Sequence, residues 1–225
     1  MSKNILVTGA GGGSGLATIR ILKESGYNVI ATDASENASG LYLGSQYEIV
    51  PMASDDNFVS SIHKIIKKYD VDVIFPNVDE ELRIFSDKKI FPQAIISPTE
   101  TIDICSDKLK TLEKLNGVID LPKSFNYNDA TEFPLLVKPR VSRGSKNIYK
   151  VNTKKELWLL LSFLDSNQNI SQEMALIQEY LPGDEYTIDS LFDLDGNFVL
   201  CVPRKRSYTY GGISAIGETT HDNRF

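Results

Sequence analysis

A chain of 225 residues is long enough for one large domain or two small ones. Its 41% hydrophobic and 24% charged content describes an ordinary water-soluble globular protein, and a net charge of −6 with a pI near 5.0 excludes nucleic acid as the main partner, because no global basic field exists. Cys105 and Cys201 stand far apart without metal or disulfide spacing, no apolar run approaches membrane length, and the N-terminus passes straight into a strand; a cytoplasmic location with no membrane partner is expected.

The chain opens with an apolar strand over 4–8, then Gly9-Ala10-Gly11-Gly12-Gly13-Ser14-Gly15, a helix over 16–25 and a second strand over 27–32 ending at Asp33. This is a β–Gly-loop–α–β unit of Rossmann type. Its glycines allow close approach of a ligand, and the helix N-terminus favours an anion. Gly9, Gly12 and Gly15 also give the spacing of NAD(P)-dependent short-chain dehydrogenases, with Asp33 placed for a ribose. Those enzymes need a Tyr-x-x-x-Lys pair, and none of the ten tyrosines is followed by lysine at that spacing.

The alternating pattern continues with a strand over 47–50, a helix over 57–68 carrying Phe58, Ile62, Ile65 and Ile66 on one face, a buried strand over 71–75, a helix over 81–86 and a strand over 93–97. Ligands of open parallel sheets bind outside the carboxyl ends of the strands. Gly11 and Gly12 after the first strand, and Asn77, Asp79 and Glu80 after the fourth, are therefore candidate substrate-side groups. Asn77, Asp79 and Glu80 serve equally well as helix-capping and first-turn residues. His63 and His221 read as surface residues.

A connector over 98–122 contains a helix beginning near Asp107-Lys108. The strand over 132–140 delivers Lys138, which Pro139 holds in an extended segment. Ser142-Arg143-Gly144-Ser145-Lys146 and a strand over 147–151 complete a hairpin whose tip offers N–H groups, hydroxyls and cations to phosphates, or is a solvated basic tip. A Leu-rich helix over 154–164 is expected to bury Trp158, with a loop over 165–173. An apolar run over 175–177 then ends in Gln178-Glu179-Tyr180-Leu181, and Pro182-Gly183 turns the chain. Strands over 185–192 and 198–203 flank Asp195-Gly196, a two-residue hairpin signal. Period-2 alternation puts Glu185, Thr187 and Asp189 on one face, too polar for simple core. Arg204-Lys205-Arg206 follows, then a loop around Gly211-Gly212.

Over essentially the whole chain these segments resemble the ATP-grasp superfamily, most closely its carbamoyl-phosphate synthase large-subunit branch, whose members also begin with an apolar strand and a Gly-rich turn. The resemblance implies an α/β fold: a Rossmann-like pre-ATP-grasp domain over 1–104, an ATP-grasp small subdomain with a phosphate-binding flap over 105–190, and an incomplete α+β C-terminal subdomain over 191–225. It implies ATP as cofactor, with Lys108, Lys138, Ser142, Arg143, Gly144 and Ser145 at the phosphates. Glu179, Tyr180 and Leu181 form the adenine hinge, Glu185 takes the ribose, and Arg204 or Arg206 stands beside an acyl phosphate as the catalytic cation. The implied substrates are a small carboxylate or bicarbonate and an amine or ammonia. Mg²⁺ is expected for the family, but its carboxylates, usually with a Glu-x-Asn-Pro motif, are absent from this sequence. The resemblance therefore assigns them to a separate polypeptide or a longer form, and leaves this chain inactive alone with an unpaired edge at 198–203. Two alternatives stand beside it: an NAD(P)-dependent reductase and a non-catalytic nucleotide-binding remnant.

Overall fold

A computed structural model describes residues 2–142, 144, 146–210 and 213–220. The chain divides into two compact units, Met1–Cys105 and Ser106–Phe225.

In the first unit, β1 (Asn4–Val7), β2 (Asn28–Asp33), β3 (Gln46–Ile49) and β4 (Val73–Phe75) form a parallel sheet in the order β3-β2-β1-β4. Both faces of these strands are apolar, so both must be covered. Ile5, Val7, Val29 and Ala31 pack with Ile19 of α1 (Gly13–Glu24) on one side. Leu6, Ile30 and Ile74 pack with Phe58, Ile62 and Ile65 of α2 (Phe58–Tyr69) and with Phe85 of α3 (Asp79–Phe85) on the other. The chain leaves β1 toward β2 on one side and returns to β4 on the other. This makes the carboxyl ends of β1 and β4 a topological switch point. The strand expected over 93–97 is reduced to a single bridge between Ile74 and Ala94, because Ala94 N–H turns back to the Phe91 carbonyl. A short helix α4 (Thr99–Cys105), unforeseen, ends the unit.

The second unit begins with α5 (Lys108–Leu115), followed by β5 (Ser124–Phe125), β6 (Leu135–Pro139), β7 (Tyr149–Val151), α6 (Lys154–Gln168) and β8 (Ala175–Glu179). The strands form an antiparallel sheet in the order β5-β8-β6-β7. Helix α6 covers one face, where Leu157, Leu161 and Leu164 meet Leu135, Val137, Val151 and Ile177. The expectation that Trp158 is core is overturned. With Leu157, Leu161 and Leu164 facing inward, helical phase turns position 158 outward, and Trp158 is 55% exposed.

A second antiparallel sheet follows, β9 (Tyr186–Phe192), β10 (Phe198–Tyr210) and β11 (Ile213–Thr219), in the order β11-β10-β9. The β9–β10 turn is tied by Asp193, whose Oδ1 accepts from the Asp195 and Asn197 N–H groups at 3.0 and 2.8 Å. Strand β10 runs further than expected, through the basic triplet to Tyr210. Its partner β9 covers Phe198–Lys205 and β11 covers Arg204–Tyr210, so among the described residues the stretch before Pro203 is paired on one side only, in line with the edge expected there. Among the described residues no helix is long and apolar enough to cross a membrane.

Candidate functional site

Alternation along β6 buries Leu135, Val137 and Pro139 and sends Leu136 and Lys138 to the face opposite α6. The register sets Leu136 between Gln178 on β8 and Lys150 on β7, and Lys138 beside Leu176. One sheet face thus carries an apolar floor at Leu136 and Leu176 and the cations Lys138 and Lys150. Buried Gln178 on the same face donates its amide to Ser124 Oγ at 3.4 Å.

Lys108 reaches this end of the sheet from α5. Asp107 caps the helix by accepting from Leu109 N–H at 2.9 Å, and the Lys108 N–H donates to the Arg140 carbonyl at 2.9 Å. Lys108 Nζ donates to the Ser142 carbonyl at 2.9 Å and to Ser142 Oγ at 3.0 Å, and lies 3.5 Å from the Arg140 carbonyl. Burial holds the Lys108 ammonium below the usual lysine range against the pull of Asp107. Burial and then repulsion from Lys108 hold Lys138 below it as well. Among the described residues no carboxylate forms an ion pair with Lys138. Two adjacent, half-desolvated cations at a strand end form a place where an anion lowers the energy of both. Gly144 is exposed with φ of +59°, a left-handed turn suited to glycine. Arg143 and Ser145, the other expected tip residues, lie outside the described residues, as does His221.

At the far end of β8, Glu179 N–H is spent on the Lys123 carbonyl at 2.9 Å. The Lys123 N–H goes to the Glu179 carboxylate at 2.7 Å rather than to its carbonyl, which leaves that carbonyl for another donor. Tyr180 N–H bonds the Pro134 carbonyl at 3.3 Å, its ring lies 3.9 Å from Lys150 Nζ, and the Leu181 side chain is exposed. Lys150 and Gln178 were missed from sequence. The period-2 reading that places Lys138 places both of them on the same face once the strand pairing is known.

Arg204 and Arg206 project from the face of β10 opposite Glu185, Thr187 and Asp189, the polar face that alternation picked out. Both are ion-paired across the strands, Arg204 Nε to Asp189 Oδ2 at 2.5 Å and Arg206 Nη1 to Glu185 Oε1 at 2.5 Å. Arg204 holds the Asp189 carboxyl below the usual range. The expected ribose acid Glu185 and one expected catalytic cation, Arg206, are thus each other's partners.

The first unit gathers Gly11, Gly12 and Asn77 at its switch point, and here the sign of the charge is opposite. Asp33 Oδ2 accepts from Gly11 N–H at 2.8 Å and its Oδ1 from Ser35 N–H at 2.9 Å, so the expected ribose acceptor is used to hold the loop. Asn77 is equally occupied. Its Oδ1 accepts from Ser14 Oγ at 2.8 Å, its Nδ2 donates to Phe75 O at 3.1 Å, and its N–H reaches Thr8 Oγ1 at 3.1 Å. Asp79 and Glu80 are exposed in the first turn of α3. The residue sequence reading passed over is Glu81. It is only 6% exposed, takes a hydrogen bond from Thr8, and has no partner for Oε2 among the described residues. Burial, with repulsion from Asp33 and Glu80, pushes its carboxyl up to about 7.

A parallel switch-point sheet in one unit and an antiparallel sheet carrying a lysine pair in the other define a two-unit α/β protein with a candidate anion site. Family comparison narrows this: the PylC-like, N-terminal domain model matches residues 5–95 and the ATP-grasp domain model residues 105–224. The chain belongs to the ATP-grasp family. It is 28% identical over 219 residues to the formate-dependent phosphoribosylglycinamide formyltransferase of Prochlorococcus marinus subsp. pastoris, an alignment covering 89% of this chain and 54% of that protein. It is 28% identical over 166 residues to a D-alanine–D-alanine ligase of Petrotoga mobilis, covering 69% and 53% of the two chains. The solved N5-carboxyaminoimidazole synthetase of Staphylococcus aureus complexed with ADP superposes with a TM-score of 0.70 at 16% identity, covering 95% of this chain and 57% of that one; this likeness is one of fold. The chain spans about half the length of the curated relatives it matches.

Proposed function

We propose that this chain carries the ATP-binding part of an ATP-grasp ligase that activates a small carboxylate as an acyl phosphate for attack by an amine. The observation that carries the reading is the pairing of Lys108 and Lys138, both held below the usual lysine range, at one end of a sheet face whose other end is the Glu179–Tyr180–Leu181 hinge. An adenine laid over Leu136 and Leu176 against the hinge carbonyl would put its phosphates toward the two lysines. Ser142 and Gly144 would close over those phosphates from the loop, and Arg204 and Arg206 would meet the acyl phosphate once released from Asp189 and Glu185. The relatives named above are a ligase for D-alanine and a formyltransferase dependent on formate, both carboxylates, which supports that substrate class. Bicarbonate with ammonia, the carbamoyl-phosphate pair, falls within it.

Phosphoryl transfer in this class uses Mg²⁺ to neutralise phosphate charge, and Mg²⁺ demands oxygen ligands. Among the described residues no group of three or more His, Cys, Asp or Glu is placed to hold a metal ion. One or two carboxylates together with substrate phosphates suffice for such an ion, and in this reading those carboxylates are assigned to another segment or polypeptide. The test is melting of the chain with ATP, ADP, adenosine and NADH, with and without Mg²⁺. ATP or ADP at a hundred times its Kd should stabilise by about 2.7 kcal/mol, and Lys138→Ala should remove that shift. A response to NADH alone would overturn the reading.

A further inference from the structure

Between the two phosphate-facing lysines lies an ion pair that the scheme above does not use. Arg140 donates two hydrogen bonds to Asp107 from one edge of its guanidinium, Nε to Oδ1 at 3.2 Å and Nη2 to Oδ2 at 2.6 Å, and both side chains are largely buried. Asp107 is the N-cap of α5, the residue before Lys108; Arg140 follows Pro139 at the end of β6, two residues after Lys138. The pair is one of a set of bonds joining these two segments, together with Lys108 N–H to the Arg140 carbonyl and Lys108 Nζ to Ser142.

An anion beside an anion-binding site is a cost on Coulomb grounds alone, and Arg140 holds this carboxyl below the usual range, so it is ionised at neutral pH. We propose that Asp107 is a positioning residue for the phosphate site: clamped to Arg140, it fixes the start of α5 against the end of β6 and so sets where Lys108 and Lys138 stand relative to one another. This rests on the nucleotide reading given above. Arg140, spent on Asp107, is a strut rather than a third phosphate cation. The planar two-point fork makes the joint resist rotation, which a single-point contact from lysine does not.

The geometry gives a test whose sign decides. Asp107→Asn keeps the size of the side chain and an equally good helix cap, and removes only the charge that holds Arg140. If the aspartate acted merely as a nearby negative charge, its loss would tighten ADP binding. Positioning requires the reverse. Titration calorimetry on the full chain should show ADP affinity falling about ten-fold in Asp107→Asn, with adenosine, which lacks phosphates, bound as in the wild type. Arg140→Lys keeps the charge and loses the fork, and should show the same selective loss; it carries the test if Asp107→Asn does not fold. Unchanged or tighter ADP binding, or an equal weakening of ADP and adenosine, would overturn the proposal. A wild-type chain that binds no ADP would instead remove the nucleotide reading on which it stands.

Discussion

Each unit of this chain has a small-residue loop at the end of a buried strand, and the side chains around the two loops carry charges of opposite sign. In the first unit the 9–15 loop has the glycines and the helix N-terminus, but Asp33 already occupies the Gly11 N–H and Glu81 is buried beneath with Asp33 and Glu80 close by. In the second unit the loop after β6 has one described glycine, yet Lys108 and Lys138 come together there, both partly buried, with no ion pair to either among the described residues. Glycine spacing reports that a backbone can come close to something. The side chains that share the space decide what that something is.

The largest way to sharpen this contrast is Glu81→Gln. A carboxyl whose folded value is raised above its ordinary one adds stability that is complete below about pH 4.5 and lost as pH rises through about 7. The glutamine variant should therefore gain roughly 3 kcal/mol over wild type at pH 8 and almost nothing at pH 4 in denaturant melts. An equal effect at both pH values would show that Glu81 is not buried as described. Next, Gly15→Ala places a Cβ 2.2 Å from the Gly9 carbonyl, so it should cost about 1–3 kcal/mol in the same melts. It should nevertheless leave the ADP-induced shift intact, which a nucleotide seated on the 9–15 loop would not allow. Asp33→Ala strips two N–H groups of their acceptor and should cost about 1 kcal/mol at neutral pH. Removing that neighbouring charge should also lower the Glu81 titration midpoint, read by carboxyl NMR. Trp158→Ala, on the outward face of α6, should change stability by less than about 0.5 kcal/mol.

What was legible in the sequence and what was not divide along a physical line. Lys138 was legible because a short apolar strand followed by proline fixes which side chain is delivered at its end, and Lys108 through the Asp-Lys pair that the family resemblance singled out; that Asp107 caps the helix came from the structure. The polar face of β9 followed from alternation alone. Glu81 was hidden in Asp79-Glu80-Glu81, since which of three consecutive acids turns inward depends on where α3 docks against Thr8 and Asp33. Trp158 was misjudged because Leu157 and Trp158 are both large and apolar, and only the packing of α6 on β6 chooses between them. The length of β10 was underestimated because Arg204, Lys205 and Arg206 look like the end of a strand until their partners Asp189, Asp184 and Glu185 are seen beside them.

Hydrogen–deuterium exchange of the full chain with and without ADP tests the central claim most directly, because it reports where a phosphate-bearing ligand sits rather than whether it binds. Protection should appear over 107–109, 138–142 and 176–181, with exchange over 9–15 unchanged. Protection over 9–15 with none at the lysines would put the phosphates on the glycine loop and contradict the account.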